Sequence, residues 1–257
     1  MTLCISSNAF AAIAYDAVSS FEDGLASSLT FSHVNAGNII IVGTGVRDAT
    51  DADRPVVSVT YNGDALIPIR ADDNTTDNIA SELWYRVNPD IGTFNVVVTF
   101  TNTTTTAGAG AISLSGVDTS SPIDAQNGTT GSSAASSVNV VTVADNAWIV
   151  DTATTTEISS SDITPTGTGK SEKYEISLTS DNVNGGTIGP VTPAGSTATG
   201  WSWTGTEGWS ISAVSLKPDT GGGGGSNIKT GNGLAVASVK TWDDLAIAST
   251  KSKNGLQ

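Results

Sequence analysis

A single histidine sets the first limit on chemistry. His33 lies in the run Leu29-Thr30-Phe31-Ser32-His33-Val34, where Leu29, Phe31 and His33 alternate onto one face of a strand candidate. Any Ser-His-Asp constellation would have to use it as the base, and no Gly-x-Ser-x-Gly elbow supplies a nucleophile. A structural histidine at a strand end is the simpler expectation. Glycoside hydrolysis would instead need two carboxyl groups about 5–9 Å apart. The glutamates available are Glu22, Glu82, Glu157, Glu172, Glu175 and Glu207, and none sits in a Glu-x-Asp-x-x-Glu strand pattern. Glu82, beside Trp84 in a strand candidate, is the one to inspect, with a solvent-facing side chain expected. Gly167-Thr168-Gly169-Lys170-Ser171 copies the end of a phosphate-binding loop. Thr164 stands where that motif needs its first glycine, and no apolar strand leads in, so it is set aside.

Two acidic groups, Asp48/Asp51/Asp53 and Asp72/Asp73/Asp77, offer the oxygens a hard cation prefers, without the spacing and glycine of an EF-hand loop. Solvated loops are expected, with a structural calcium ion as the single cofactor worth considering and no other implied. Trp201, Trp203 and Trp209 are the remaining candidates. Trp201 and Trp203 share one strand face, about 7 Å apart, and would contact a glycan if that face met solvent. Ser202 and Thr204 leave the choice of face open.

The elements that must position these residues read as strands. Ile79–Val87, Thr93–Thr101 and Gly108–Val117 are rich in β-branched and aromatic residues. In the middle one Phe94, Val96, Val98 and Phe100 point one way, Asn95, Val97 and Thr99 the other. Asn38–Val46 is a continuous apolar run, the mark of a strand buried on both faces. Val56–Tyr61 and Ala65–Ile69 flank Asn62-Gly63-Asp64, a hairpin signal, and Pro68 puts the second of them at an edge. Phe10–Val18 opens the series and Leu29–Val34 follows. Residues 126–137, rich in Gly, Ser and Ala, read as a long exposed connection. Val138–Val143 and Ala147–Thr154 read as a pair, and Lys173–Leu178 as a lone strand in a weak region. Thr197–Trp203 and Trp209–Leu216 read as a hairpin across Gly205-Thr206-Glu207-Gly208. No stretch has sustained helical periodicity. The fold class expected is all-β: an antiparallel β-sandwich or jelly roll, then a glycine linker and a small β-repeat segment.

Bulk properties agree. The 257 residues allow one large domain plus an appendage. Cys4 is the only cysteine, which excludes an intramolecular disulfide. Eleven basic against 25 acidic residues give a formal charge of −14, which opposes binding to nucleic acid or an anionic membrane. The N-terminal residues carry no basic region before their apolar ones, and Asp16 interrupts them, so they do not read as a signal peptide. No stretch is long and apolar enough to span a bilayer.

Five consecutive glycines, Gly221–Gly225, mark the clearest boundary. The expected division is a sandwich over 1–219, a linker over 220–226 and a repeat segment over 227–257. The repeat has a period of 11: Lys229, Lys240 and Lys251 are in register, as are Leu234, Leu245 and Leu256. Its Asn-Gly sites argue for short strands and turns rather than helix. Units this small bury no core alone. Leu234, Val236, Val239, Trp242, Leu245, Ile247 and Leu256 are therefore the candidate assembly contacts, in a homo-oligomer with a trimer favoured.

Four stretches in order, LTFSHV, VTYNGDAL, ELWYRVNPDIGTFNVVVTF and GAISLSGVDTSSPIDA, resemble a broad set of bacterial and phage β-sandwich domains. The likeness covers roughly residues 5–217 and implies a lectin-like or structural role, with no catalytic residues to carry over. The tail, NGLAVASVKTWDDLAIASTKSKNGL, is similar to Asn-Gly-Leu-Ala…Ser-Val-Lys-Thr repeats of tailed-phage virion proteins, although Asp243-Asp244 replaces Asn-Gly in its second unit. What the resemblance implies is a non-enzymatic virion protein made in the host cytoplasm. Its partners would be capsid or tail proteins, with host surface glycans as a further ligand class. The rival expectation is a carbohydrate-binding module or a carboxylate-based glycan hydrolase.

Overall fold

The computed structural model describes residues 12–24, 27–47, 56–101, 106–157, 162–178 and 181–220. The chain separates into two units, Met1–Thr220 and Gly221–Gln257. The assembly contacts proposed between Leu234 and Leu256 lie outside the described residues, as do Asp48, Asp51 and Asp53.

The antiparallel β-sandwich expected from the sequence is present, and it has a third layer. A central sheet runs in the order β1 (Ala14–Gly24), β9 (Thr106–Ser115), β3 (Ile39–Arg47), β7 (Ile79–Val87), β6 (Ile67–Asn74). One face is covered by a four-stranded sheet of β2 (Ser28–Asn35), β8 (Gly92–Phe100), β4 (Val56–Tyr61) and β5 (Asp64–Ala65). The other is covered by a sheet ordered β10 (Ile123–Val141), β15 (Ser196–Leu216), β11 (Ala147–Thr156), β14 (Asp181–Val191), β13 (Lys170–Ser177), with β12 (Thr164–Thr166) paired to β15.

The central sheet explains the continuous apolar run. In β3, Ile40, Val42 and Val46 enter the core against the four-stranded sheet, while Ile39 and Ile41 enter the core on the opposite side. Both faces are dry, so the period of two is hidden in the sequence. In β8 Val96, Val98 and Phe100 are buried and Asn95 is exposed, as the alternation required. Asn62 and Gly63 both have positive φ, 51° and 84°, and turn β4 into the short β5. The chain then leaves that sheet at Leu66 and enters the central one as β6, whose Pro68 sits on an edge strand. The three consecutive strands β7, β8 and β9 do not pair with one another. β7 and β9 flank β3, and β8 lies in the neighbouring layer.

Three readings of the C-terminal half are corrected. Residues 126–137 belong to a strand, the 19-residue β10. Over 126–137 its side chains are exposed or half-buried apart from Ser136, so backbone pairing with β15 holds that stretch without an apolar face. Val138–Val143 and Ala147–Thr154 do not pair, since β15 runs between β10 and β11. Thr197–Trp203 and Trp209–Leu216 are the two arms of one bent strand, each paired to β10. Their junction is a corner with Gly205 at φ 106°. There the ribbon folds its first arm over the outer face of β11 and β14, enclosing a third core with Ile149, Ile188, Trp201, Trp203 and Ile211. β14 itself gave no apolar signal, yet Asp181–Ile188 is buried throughout.

The two larger sheets meet around one ring. Tyr174 is buried, donates from its hydroxyl to Thr152 Oγ1 at 3.1 Å, and occupies space left by Gly43, Gly110 and Gly185. A methyl group on Gly110 or Gly185 would overlap the ring. Gly110→Ala is therefore expected to lower stability by about 1–3 kcal/mol through overpacking, read as the urea midpoint. Adding Tyr174→Leu should return part of that loss, because the two changes share one site. An unchanged midpoint in Gly110→Ala would remove the socket from the explanation of how these sheets pack.

Candidate functional site

Among the described residues, three of the places where chemically capable side chains meet bear most directly on reactivity. The first is under the folded-back arm of β15. Asp151 is a charged residue in the otherwise uncharged strand β11, and Lys170 opens β13. They are two strands apart, and Lys170 crosses β14 over Gly186, where an added Cβ would come within 2.8 Å of Lys170 Cε. A β-bulge between Glu172 and Tyr174 turns Lys170 to the outer face and Tyr174 to the inner one. Lys170 Nζ lies 2.8 Å from Asp151 Oδ2, and both side chains are 1% exposed. Lys170 Nζ also donates to the Gly200 carbonyl at 2.6 Å and sits 3.8 Å from the centre of the Trp201 ring. Trp201 Nε1–H donates to Asp151 Oδ1 at 3.2 Å, and the Thr199 hydroxyl donates to Oδ2. Burial pulls the Lys170 ammonium below its usual range, against the opposing charge and hydrogen bond of Asp151.

This geometry corrects the glycan-stacking expectation. Trp201 and Trp203 do share a face, but it is the inner one. They are 0% and 7% exposed, and Trp209 is 8% exposed. A sugar ring needs an aromatic face open to solvent, and these rings present none. Sequence reasoning missed Asp151, Lys170 and Thr199 as a group. The available signal was a lone carboxylate in the middle of Ala147–Thr156.

The second place surrounds His33. Its side chain is buried beside Tyr61, and Nδ1 lies 3.0 Å from Ser19 Oγ, while Nε2 has no hydrogen-bond partner. Asp16 does not complete a triad, because its Oδ2 accepts from the Ala36 and Gly37 amides and the Ser113 hydroxyl. Those bonds hold Asp16 below the ordinary carboxylate range even though burial pushes the other way. Burial lowers the His33 imidazole to about 4, against the weaker pull of Asp16. The ring is a neutral core element, as a strand-end histidine on the Leu29/Phe31 face should be.

The third place is a polar cleft of about 260 Å³ bordered by Arg47, Asp77, Glu157, Thr206 and Glu207. No aromatic ring, histidine or lysine lines it, so it offers hydrogen bonds without a stacking face or a nitrogen base. Arg47 is paired with the buried Asp181 at 2.8 Å. Glu82 is not solvent-facing as expected. It is 2% exposed and accepts from the Val56 amide at 3.4 Å. Asp72, Asp73 and Asp77 do not converge, and the first two lie in strand β6 rather than in the loop expected. Asp72 pairs with Arg70 at 2.6 Å, and Asp77 accepts from Asn74 at 2.9 Å. Among the described residues no group of three or more His, Cys, Asp or Glu side chains is disposed to hold a metal ion.

No protein-family model matches the chain, and no significant match was found among curated proteins or solved structures.

The histidine makes a pH prediction with a defined sign. Its folded value, about 4, lies below the reference 6.5, so the unfolded chain binds the extra proton between them. Stability is complete above the reference value and falls as pH drops through that window, by about 3 kcal/mol in total. His33→Phe should flatten this part of the pH profile in urea titrations. The Asp16 contribution is lost only at lower pH, below the ordinary carboxylate value of 3.8. Equal pH profiles for both proteins between 4 and 6.5 would contradict a buried neutral His33.

Proposed function

We propose that the chain is a non-enzymatic structural protein of a tailed-phage particle, displayed on the particle surface as a capsid decoration, head fibre or tail-associated component. The glycine run gives the sandwich reach, and the 11-residue repeat assembles with copies of itself or docks on capsid or tail proteins. The observation that carries this reading is the division of the chain at Thr220/Gly221, which sets a sandwich apart from a tail whose repeat is too small to bury its own core.

The burial of four of the chemically capable residues supports a structural over an enzymatic role. His33, Glu82, Lys170 and Asp151 all face protein, where they organise packing rather than meet a substrate. The buried Trp201 and Trp203 remove the stacking surface that favoured glycan binding. With many copies on one particle, any weak contact made by the sandwich would be multiplied by avidity.

Light scattering on the full chain and on a chain ending at Thr220 tests the division. The expected result is a trimer or larger for the full chain and a monomer for the shorter one. Monomers in both cases would remove the repeat as a self-assembly device, leaving only docking to another protein. An oligomer that persists without the repeat would overturn the assignment of assembly to the tail.

A further inference from the structure

We propose that Lys170 and Asp151 join after folding in an intramolecular isopeptide bond, the Lys170 amine acylated by the Asp151 side-chain carboxyl. The site has what such a condensation needs. Both groups are out of water, 2.8 Å apart from Nζ to Oδ2. Burial penalises the charged pair, so transfer of one proton from ammonium to carboxylate is favoured there far more than in solution. That transfer creates a free amine, which is a nucleophile, and a carboxylic acid, which is an electrophile. Fixing two reactants in contact supplies a large effective concentration.

The neighbours are arranged around the reacting atoms. The Gly200 carbonyl, 2.6 Å from Nζ, orients the amine. The Trp201 ring, 3.8 Å away, walls off one side and excludes water. Trp201 Nε1–H at 3.2 Å donates to Oδ1, the oxygen on which negative charge collects when Nζ attacks Cγ. The Thr199 hydroxyl holds Oδ2, the oxygen that leaves. Gly186 keeps the path open, since a Cβ there would meet Lys170 Cε at 2.8 Å and the Trp201 ring at 3.4 Å.

The step balances without any co-reactant. The Nζ lone pair forms the bond to Cγ, the Cγ–Oδ2 bond breaks, and Oδ2 departs as water with one proton from the acid and one from the amine. Nothing is oxidised or reduced. The product amide keeps one N–H, aimed at the Gly200 carbonyl, and one carbonyl oxygen, Oδ1, facing Trp201 Nε1–H. Two buried charges are replaced by a neutral group with both polar atoms paired. The bond would link β11 to β13 across β14, tying the outer sheet laterally with a covalent bond on its outer face, opposite the Tyr174–Thr152 hydrogen bond on the inner one.

The test is the intact mass of the full, denatured chain together with a peptide map. The expected mass is about 18 Da below that of the sequence, the loss of one water. The map should contain a branched peptide joining the Asp151 and Lys170 segments, with no tryptic cleavage after Lys170. Lys170→Arg keeps the cation and should have its full sequence mass. Asp151→Asn should condense with loss of ammonia to the same product mass as the wild type. A wild type at full sequence mass overturns the proposal and leaves a buried ion pair only. A deficit that survives in Lys170→Arg, or maps to another residue, overturns it equally, because an aspartyl succinimide loses the same water.

Discussion

The close approach of the central and outer sheets is the constraint on which the rest of the molecule depends. A sheet covered on both faces has no solvent side on which to leave a mismatch. Tyr174 resolves one by filling a socket that Gly43, Gly110 and Gly185 leave open. Its hydroxyl, out of water, has a partner in Thr152 at 3.1 Å. Glycine opposite glycine in the β3–β9 ladder, as at Gly43 and Gly110, weakens strand propensity locally. The compensation is interlayer contact, with Ile176 and Val183 packed against Gly108. Hydrogen bonds between layers add register, as where Ser81 Oγ meets Thr154 Oγ1 at 2.9 Å and Ser210 Oγ at 2.8 Å.

The same constraint accounts for where the polar chemistry went. Strands buried on both sides still carry Asp151, Thr152 and Thr154. Buried polar groups are tolerated when they are paired, and the fold-back of β15 supplies partners for Asp151 from Thr199, Trp201 and Lys170. At the end of the same β11–β14 ladder Asp181 is paired with Arg47 and with the Thr106 hydroxyl at 3.0 Å. The acidic surplus therefore has two roles. Some carboxylates fasten layers, and others, such as Asp64 and Glu157, remain at the surface.

Legibility in the sequence followed side-chain chemistry. Strands with an apolar face were readable: β8 from Phe94, Val96, Val98 and Phe100, and β3 from its unbroken run. The turn at Asn62-Gly63 was readable because positive φ selects those residue types. Residues 126–137 of β10 were not, since an edge stretch with exposed serines and alanines owes its existence to backbone pairing, whereas its end at Val138–Val141 was. β14 was not, because the space between Tyr174 on one side and Trp201 on the other admits little more than Gly185 and Gly186. Trp201 and Trp203 were seen to share a face, but the face itself depends on the corner at Gly205, a tertiary event. In the sequence Lys170 stands out only as the end of a run like a phosphate loop. Its partner lies two strands away across β14, beyond any local spacing.

The central claim is that the doubly covered sheet is the stable spine and the edge ribbon is not. Native-state amide hydrogen exchange measures this directly. The amides of Ile40–Gly45 should exchange only through global unfolding, with an opening free energy equal to that from urea denaturation. Those of residues 126–137 on β10 should open at far lower free energy. Ladder amides of β3 that exchange through local opening, as readily as the β10 edge, would contradict the three-layer organisation.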